Sequence, residues 1–145
     1  MSDAPDISAR AIIDRLGLRP HPEGGHYAET YRHAAQDGGR GACTAIHYLL
    51  QAGERSHWHK VDAVEIWLWH GGEPLKLSLA ETQGAPVATI TLGGDVLAGQ
   101  VPQAVVPAHV WQAAEPLGEW TLVSCVVAPA FDFSGFQMAA PGWTP

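Results

Sequence analysis

Gly53-Glu-Arg-Ser-His-Trp-His-Lys-Val-Asp-Ala-Val-Glu-Ile-Trp-Leu-Trp-His-Gly71 is the stretch on which the reading of this chain turns. His57 and His59 stand two residues apart, and on a regular extended strand that spacing sends both imidazoles to one face. Glu65 follows inside a second apolar and aromatic run. The polar link at residues 60–63 is short enough to join two neighbouring strands. The pattern therefore predicts two imidazoles and a carboxylate converging at one place.

Outward from this stretch, short runs with strand character recur. A strand is predicted over residues 26–33, where Tyr27, Glu29 and Tyr31 alternate with Ala28, Thr30 and Arg32, and another over 43–51, which carries His47 and Tyr48 on opposite faces. Further strands are predicted over 56–59, 64–70, 75–79, 87–92, 103–107, 109–114 and 120–128, the last apolar enough to be buried on both faces. One short helix is predicted over residues 8–16, with Asp6 or Ser8 as its cap, Ile12 and Leu16 on one face and Gly17 as its left-handed stop. Between helix and first strand, Arg19-Pro-His-Pro-Glu-Gly-Gly-His26 is dense in residues that stiffen or free the backbone. It reads either as a turn that opens a strand or as the mouth of a pocket lined by Glu23. The aromatic tail, residues 129–145, is expected to pack onto the body. His21, His26, His33, His70 and His109 read as turn or surface residues.

Bulk properties agree with one all-β domain spanning residues 1–145. A chain of 145 residues can bury about two thirds of its unfolded surface around a single core. Its 16 glycines and 11 prolines are spread along the chain, which suits many short strands better than a helical bundle. A net charge of −7 with only eight Lys and Arg argues against nucleic acid as a partner. The longest apolar run, residues 122–131, is far shorter than the ~20 residues needed to span a bilayer. The first residues lack the basic and apolar regions of a signal peptide, so a cytoplasmic location and no membrane partner are expected. Cys43 and Cys125 read as buried thiols rather than a disulfide.

About ten short strands with one N-terminal helix predict an antiparallel barrel or two-sheet jelly roll, with the barrel over about residues 26–138. The order Gly53, His57, His59, Glu65, Gly71, then Gly99 and Pro107, resembles the two sequence motifs of the cupin superfamily. His109 stands where that pattern has a glycine, and Gln112 where it has a third histidine. Across the whole chain the segments His21 to Arg32, Thr44-Ala-Ile-His-Tyr-Leu-Leu50, Glu65-Ile-Trp67, Trp111-Gln-Ala-Ala114 and Phe131-Asp-Phe133 are similar to the fifth cupin family, formerly a domain of unknown function and described as predicted sugar epimerases. The resemblance implies a double-stranded β-helix, usually a homodimer, with a cavity near these motifs.

Three chemical readings follow. In the first, His57, His59, Glu65 and Gln112 hold a divalent transition metal such as Zn, Fe, Ni or Mn, with the neutral amide of Gln112 a weak substitute for imidazole. In the second, no cofactor is needed: the protein is a sugar-type epimerase or isomerase, His59 or His57 is the base, and Glu65 orients it. Tyr31 or Tyr48 would return the proton and Arg32 would hold an anionic group. The scarcity of cations favours a smaller or less charged substrate than a nucleotide-linked sugar. In the third, the cavity binds a small ligand without turnover. Glu23, Glu29, His47 and Trp67 complete the candidate ligand contacts, with Trp58, Trp69 and Trp111 as further wall residues for whichever face inward.

Overall fold

The computed structural model describes residues 8–145. Helix α1 (Ala9–Leu16) begins at Ser8, whose hydroxyl accepts from the backbone N–H of Ala11, and ends at Gly17 in the left-handed conformation. Asp6, the alternative cap, lies outside the described residues. Ile13 of α1 is buried, and the helix packs with Leu18 and Leu49 against Trp120 and Leu122. It covers part of the outer face of one sheet.

The strands are β1 (Arg19–Pro20), β2 (His26–Arg32), β3 (Thr44–Gln51), β4 (Ser56–Val61), β5 (Val64–Gly72), β6 (Leu75–Ala80), β7 (Ala88–Leu92), β8 (Gln103–Val106), β9 (Trp111–Pro116), β10 (Trp120–Ala128) and β11 (Phe136–Met138). They form two antiparallel sheets, in the orders β1-β2-β3-β10-β5-β8 and β11-β4-β9-β6-β7. The two-sheet jelly roll is the predicted architecture. The aromatic tail does more than pack on the body, because its Phe136–Met138 segment adds an edge strand to β4.

The main core lies between the sheets. Tyr48, Leu50, Trp67, Leu75, Leu77, Leu92, Val106, Val123 and Cys125 meet there, each nearly or fully excluded from solvent. The expectation that residues 120–128 are buried on both faces is corrected: Thr121, Val123, Cys125 and Val127 are buried while the residues between them are only half-buried. Only part of this sheet's outer face has a cover, and α1 supplies it, so β10 alternates as a one-sided antiparallel strand does. Neither cysteine is in a disulfide; Cys125 is buried and Cys43 partly so.

Two irregularities decide which side chains reach the interior. In β2 the pairing with β3 runs Glu29 opposite Ile46 and then Tyr31 opposite Ala45, so Thr30 is an extra residue. In β4 the pairing with β9 runs Ser56 opposite Ala114 and then His59 opposite Gln112, so one extra residue lies between them. A one-residue bulge reverses the faces of everything beyond it. Glu29 and Arg32 thus share the inner face, as do Ser56 and His59.

Leu77 sits at the centre of β6 with no exposed surface, opposite Ala114 and Ile90. Leu77→Ala is expected to cost about 2–5 kcal/mol of unfolding free energy, measured by urea denaturation, because the flanking strands cannot collapse into the gap.

Candidate functional site

A cavity opens between the sheets at the end where β2, β3, β4 and the tail meet. Its charged lining consists of Glu23, Glu29, Arg32, His59 and Glu65, with His21 beside Glu23. Its apolar wall comes from Ile46, Val61, Val127 and three phenylalanines, Phe131, Phe133 and Phe136. The three rings stack edge to face on one another, with centroids 4.8 and 5.8 Å apart, and Phe136 lies 5.4 Å from the His59 ring.

Glu23 reaches this place because the loop that carries it is pinned at several points. The backbone N–H of His21 donates to Gly25 O at 2.9 Å, and that of His57 donates to Glu23 O at 2.8 Å. The Tyr48 hydroxyl donates to Gly24 O. Gly24 has a φ of +114°, and a Cβ there would lie 1.9 Å from Arg55 O, so no other residue fits this close backbone approach. The loop is both the turn into β2 and a wall of the pocket.

His59 is buried, and both its ring nitrogens are engaged by groups that can only accept. Nε2 lies 2.9 Å from Glu23 Oε2, and Nδ1 lies 2.8 Å from the carbonyl oxygen of His57. A carbonyl and an ionised carboxylate have no proton to give, so both nitrogens carry one and the ring is an imidazolium. Burial alone pulls its pKa down, but the charge and hydrogen bond of Glu23, with help from Glu65, overturn this and raise it to about 9. Burial pushes Glu23 up, yet its contacts with His59 hold it below the usual carboxylate range. His21 behaves oppositely. Its Nδ1 accepts from the backbone N–H of Glu23 at 3.1 Å, and burial, opposed by Glu23 and assisted by His59, lowers its pKa. His21 is neutral with its proton on Nε2.

Glu65 is held differently. Gln112 Nε2 donates to Glu65 Oε1 at 2.9 Å, while Gln112 Oε1 accepts from the indole N–H of Trp67 at 2.9 Å. Because indole can only donate, Trp67 fixes which end of the amide faces the carboxyl. The Cys125 thiol adds another hydrogen bond to Glu65, and burial keeps that thiol protonated. Burial raises the pKa of Glu65 to about 7; Glu23 reinforces the rise, and His59, Gln112 and Cys125 oppose it. Near neutral pH this carboxyl is therefore close to half ionised.

Several expected site residues are placed elsewhere. His57 does not join His59: the β4 bulge turns it outward, and its Nε2 contacts Ala140 O at 2.9 Å. Tyr31 is exposed because the extra residue Thr30 moves it to the other face, and Arg32 takes its side at the rim of the cavity with its side chain 48% exposed. Arg32 is already bound by Glu29 through two 2.9 Å hydrogen bonds and donates to Phe131 O. Tyr48 is buried beneath the site within the core, where burial pushes its phenol well up, so it holds its proton without facing the cavity. His47 lies on the other face of β3 from Tyr48 and does not line the cavity. Trp67 supports Gln112 from the core rather than walling the pocket. Trp58 and Trp111 pack outside with Trp143, and Trp69 donates to Glu73 O. The flat wall comes from the tail phenylalanines instead. Sequence reasoning also placed His21 at the surface; the back-folding of the loop through its two glycines was the signal that could have brought it inside.

The proposed metal set does not fit. His57 is outside, both nitrogens of His59 carry protons, and both ends of Gln112 are committed to Trp67 and Glu65. Among the described residues no group of three or more His, Cys, Asp or Glu is placed to hold a metal ion. His109, at the position of the motif glycine, adopts a φ of +68°, the left-handed angle that a glycine would supply.

A family model described as Cupin superfamily (DUF985) matches residues 10–139. A solved structure of a hypothetical protein from Leishmania major is 29% identical over 92% of this chain and 88% of its own, with a TM-score of 0.83. A protein from Shewanella oneidensis is 34% identical over 93% of this chain and 86% of its own, with a TM-score of 0.87. A cupin 2 conserved barrel domain protein from Rhodopseudomonas palustris shares the fold, at 15% identity, 86% and 76% coverage and a TM-score of 0.55. No curated protein matches the chain. No helix among the described residues is long and apolar enough to cross a membrane.

The buried charges tie stability to pH. Glu65 and His59 both bind protons more tightly in the folded than in the unfolded state. Their stabilising contributions are full below the unfolded values and are lost as pH rises through about 7 and about 9 respectively. His21, with its lowered pKa, opposes this trend below its unfolded value of 6.5, so the falling stability should be read by thermal unfolding from neutral to alkaline pH, and Glu65→Gln should make the slope below neutrality less negative. A wild-type profile that rises over this window contradicts the assignment.

Proposed function

The chain belongs to the DUF985 family of the cupin superfamily, and we propose that it is a small-molecule enzyme of the isomerase or epimerase type in which Glu65 takes up and returns a proton. The observation that carries this reading is a cavity-lining carboxyl with a pKa of about 7, set beside a buried imidazolium. A general base works best when its pKa lies near the working pH. His59 is unsuited to that role because it has no free lone pair. Its role is electrostatic.

The reaction starts with a substrate carbon that bears hydrogen next to a carbonyl. Ionised Glu65 accepts that proton, and the electron pair of the broken C–H bond moves into an enolate whose charge lies on the former carbonyl oxygen. The positive field of the buried His59 favours that negative charge. In an epimerisation a solvent proton reaches the opposite face of the carbon and Glu65 releases its proton to solvent; in an isomerisation the hydroxyl proton of that carbon moves to the enolate oxygen and Glu65 delivers its proton to the former carbonyl carbon. Gln112 and Trp67 orient the carboxyl, while Phe131 and Phe136 form the half-buried aromatic side of the cavity.

The aromatic wall also supports a second reading, in which the cavity binds a ring-like ligand without turnover. The two separate in heavy water. Protein treated with chelator and incubated with a panel of small ketoses, aldoses and cyclic hydroxyketones should place deuterium on a carbon next to the carbonyl, followed by proton NMR. Glu65→Gln should reduce that exchange by at least ~100-fold. The wild-type rate should rise with pH through about 7 as Glu65 ionises and fall through about 9 as His59 loses its charge. Saturable binding with no exchange across the panel would favour the second reading, and undiminished exchange in Glu65→Gln would overturn Glu65 as the base.

A further inference from the structure

The charges lining the cavity are already paired with one another. Its two cations, His59 and Arg32, each face a carboxylate of the same cavity: His59 meets Glu23 at 2.9 Å, and Arg32 meets both oxygens of Glu29 at 2.9 Å. The third carboxyl, Glu65, has only the neutral donors Gln112 and Cys125 as hydrogen-bond partners. Three carboxyl groups therefore line the cavity against two cations. The remaining wall is aliphatic and aromatic, and Asp132, on the segment that carries the phenylalanines, adds a further negative charge near Arg32.

We infer that the ligand of this cavity is an uncharged, partly apolar small molecule, a ring bearing a carbonyl or hydroxyl group, and that phosphorylated and nucleotide-linked sugars are excluded. An incoming anion has two routes to a cation. It can displace Glu29 from a two-point contact with Arg32, or displace Glu23 from a buried ion pair and leave that carboxylate uncompensated. Both routes exchange one anion for another without adding a positive charge. A neutral carbonyl needs neither displacement, because protonated Glu65 is a donor without a net charge to cancel. The phenylalanine wall favours the ring itself by excluding water from its apolar face.

This inference deepens the reading of the cavity as a ligand site, but it does not depend on proton transfer, and its test reads binding alone. The probes are cyclohexanecarboxamide and cyclohexanecarboxylate, which share a ring and differ by one charge, with inorganic phosphate as a third. Calorimetry on the intact protein at mildly acidic pH, where Glu65 keeps its proton, should show the amide binding at least about tenfold more tightly than the carboxylate, and no heat from phosphate. Glu29→Gln, which releases Arg32, should narrow the ratio by strengthening carboxylate binding, and its retained amide binding shows that the cavity is intact. Equal or tighter binding of the carboxylate, measurable binding of phosphate, or no binding of the amide at millimolar concentration overturns the inference. Preference for the amide together with absent deuterium exchange would leave the neutral-ligand assignment standing and remove the proton-transfer reading.

Discussion

The contact between the His59 imidazolium and the Glu23 carboxylate is the constraint that the rest of the site answers to. Both groups are buried, and an isolated charge in such surroundings costs several kcal/mol even after relaxation. The pair has further support: His59 Nδ1 is held by the His57 carbonyl, and the loop that carries Glu23 is held by the His57 N–H of β4 and the Tyr48 hydroxyl of β3. Removing either partner would strand the other. This explains why a loop made of prolines and glycines is fastened so closely against the sheet, with Gly24 allowing the backbone of Arg55 to approach where no side chain could stand.

From that pair the properties of Glu65 follow. One buried cation cannot fully neutralise two buried carboxyls, so the one not in direct contact with it keeps a raised pKa. Gln112 matters here. An imidazole in its place would bring a titratable group, whereas the amide, oriented by Trp67, gives Glu65 a donor without charge. The superfamily pattern of three histidines and one glutamate is therefore rearranged into a proton-bearing cluster: an imidazolium held by a carboxylate from the N-terminal loop, a neutral amide, and a carboxyl balanced near neutrality. The geometry commits His59 to its proton and leaves Glu65 the mobile one.

Much of the fold was legible in the chain because alternation along each run and the glycines and prolines between them are local signals, and the strands read from residues 26 to 128 match the observed ones to within a few residues. Glu65 was legible from its place in the apolar run that follows the two histidines, and Gln112 from the resemblance alone, as the residue at the third-histidine position of the motif. His57 and Tyr31 were misplaced, and Arg32 was put on the face away from Glu29, by two bulges, at β4 and β2, and an extra residue in a ladder leaves no mark in composition or spacing. Seven or eight residues of perfect alternation look the same with or without it. His21 and the three phenylalanines depend on long-range packing of a loop and a tail, and nothing local to them signals where those segments return. The site was thus readable where the backbone is regular and unreadable where it is bent.

The central claim is that the cation of this cavity is a doubly protonated His59, and nitrogen-15 NMR of histidine-labelled protein, with His59→Gln for assignment, addresses it directly. At neutral pH both ring nitrogens of His59 should show the shifts of an imidazolium, persisting until pH approaches about 9. A neutral ring at neutral pH, with one nitrogen protonated and the other bare, would contradict the account and reopen that nitrogen to service as a base or as a ligand.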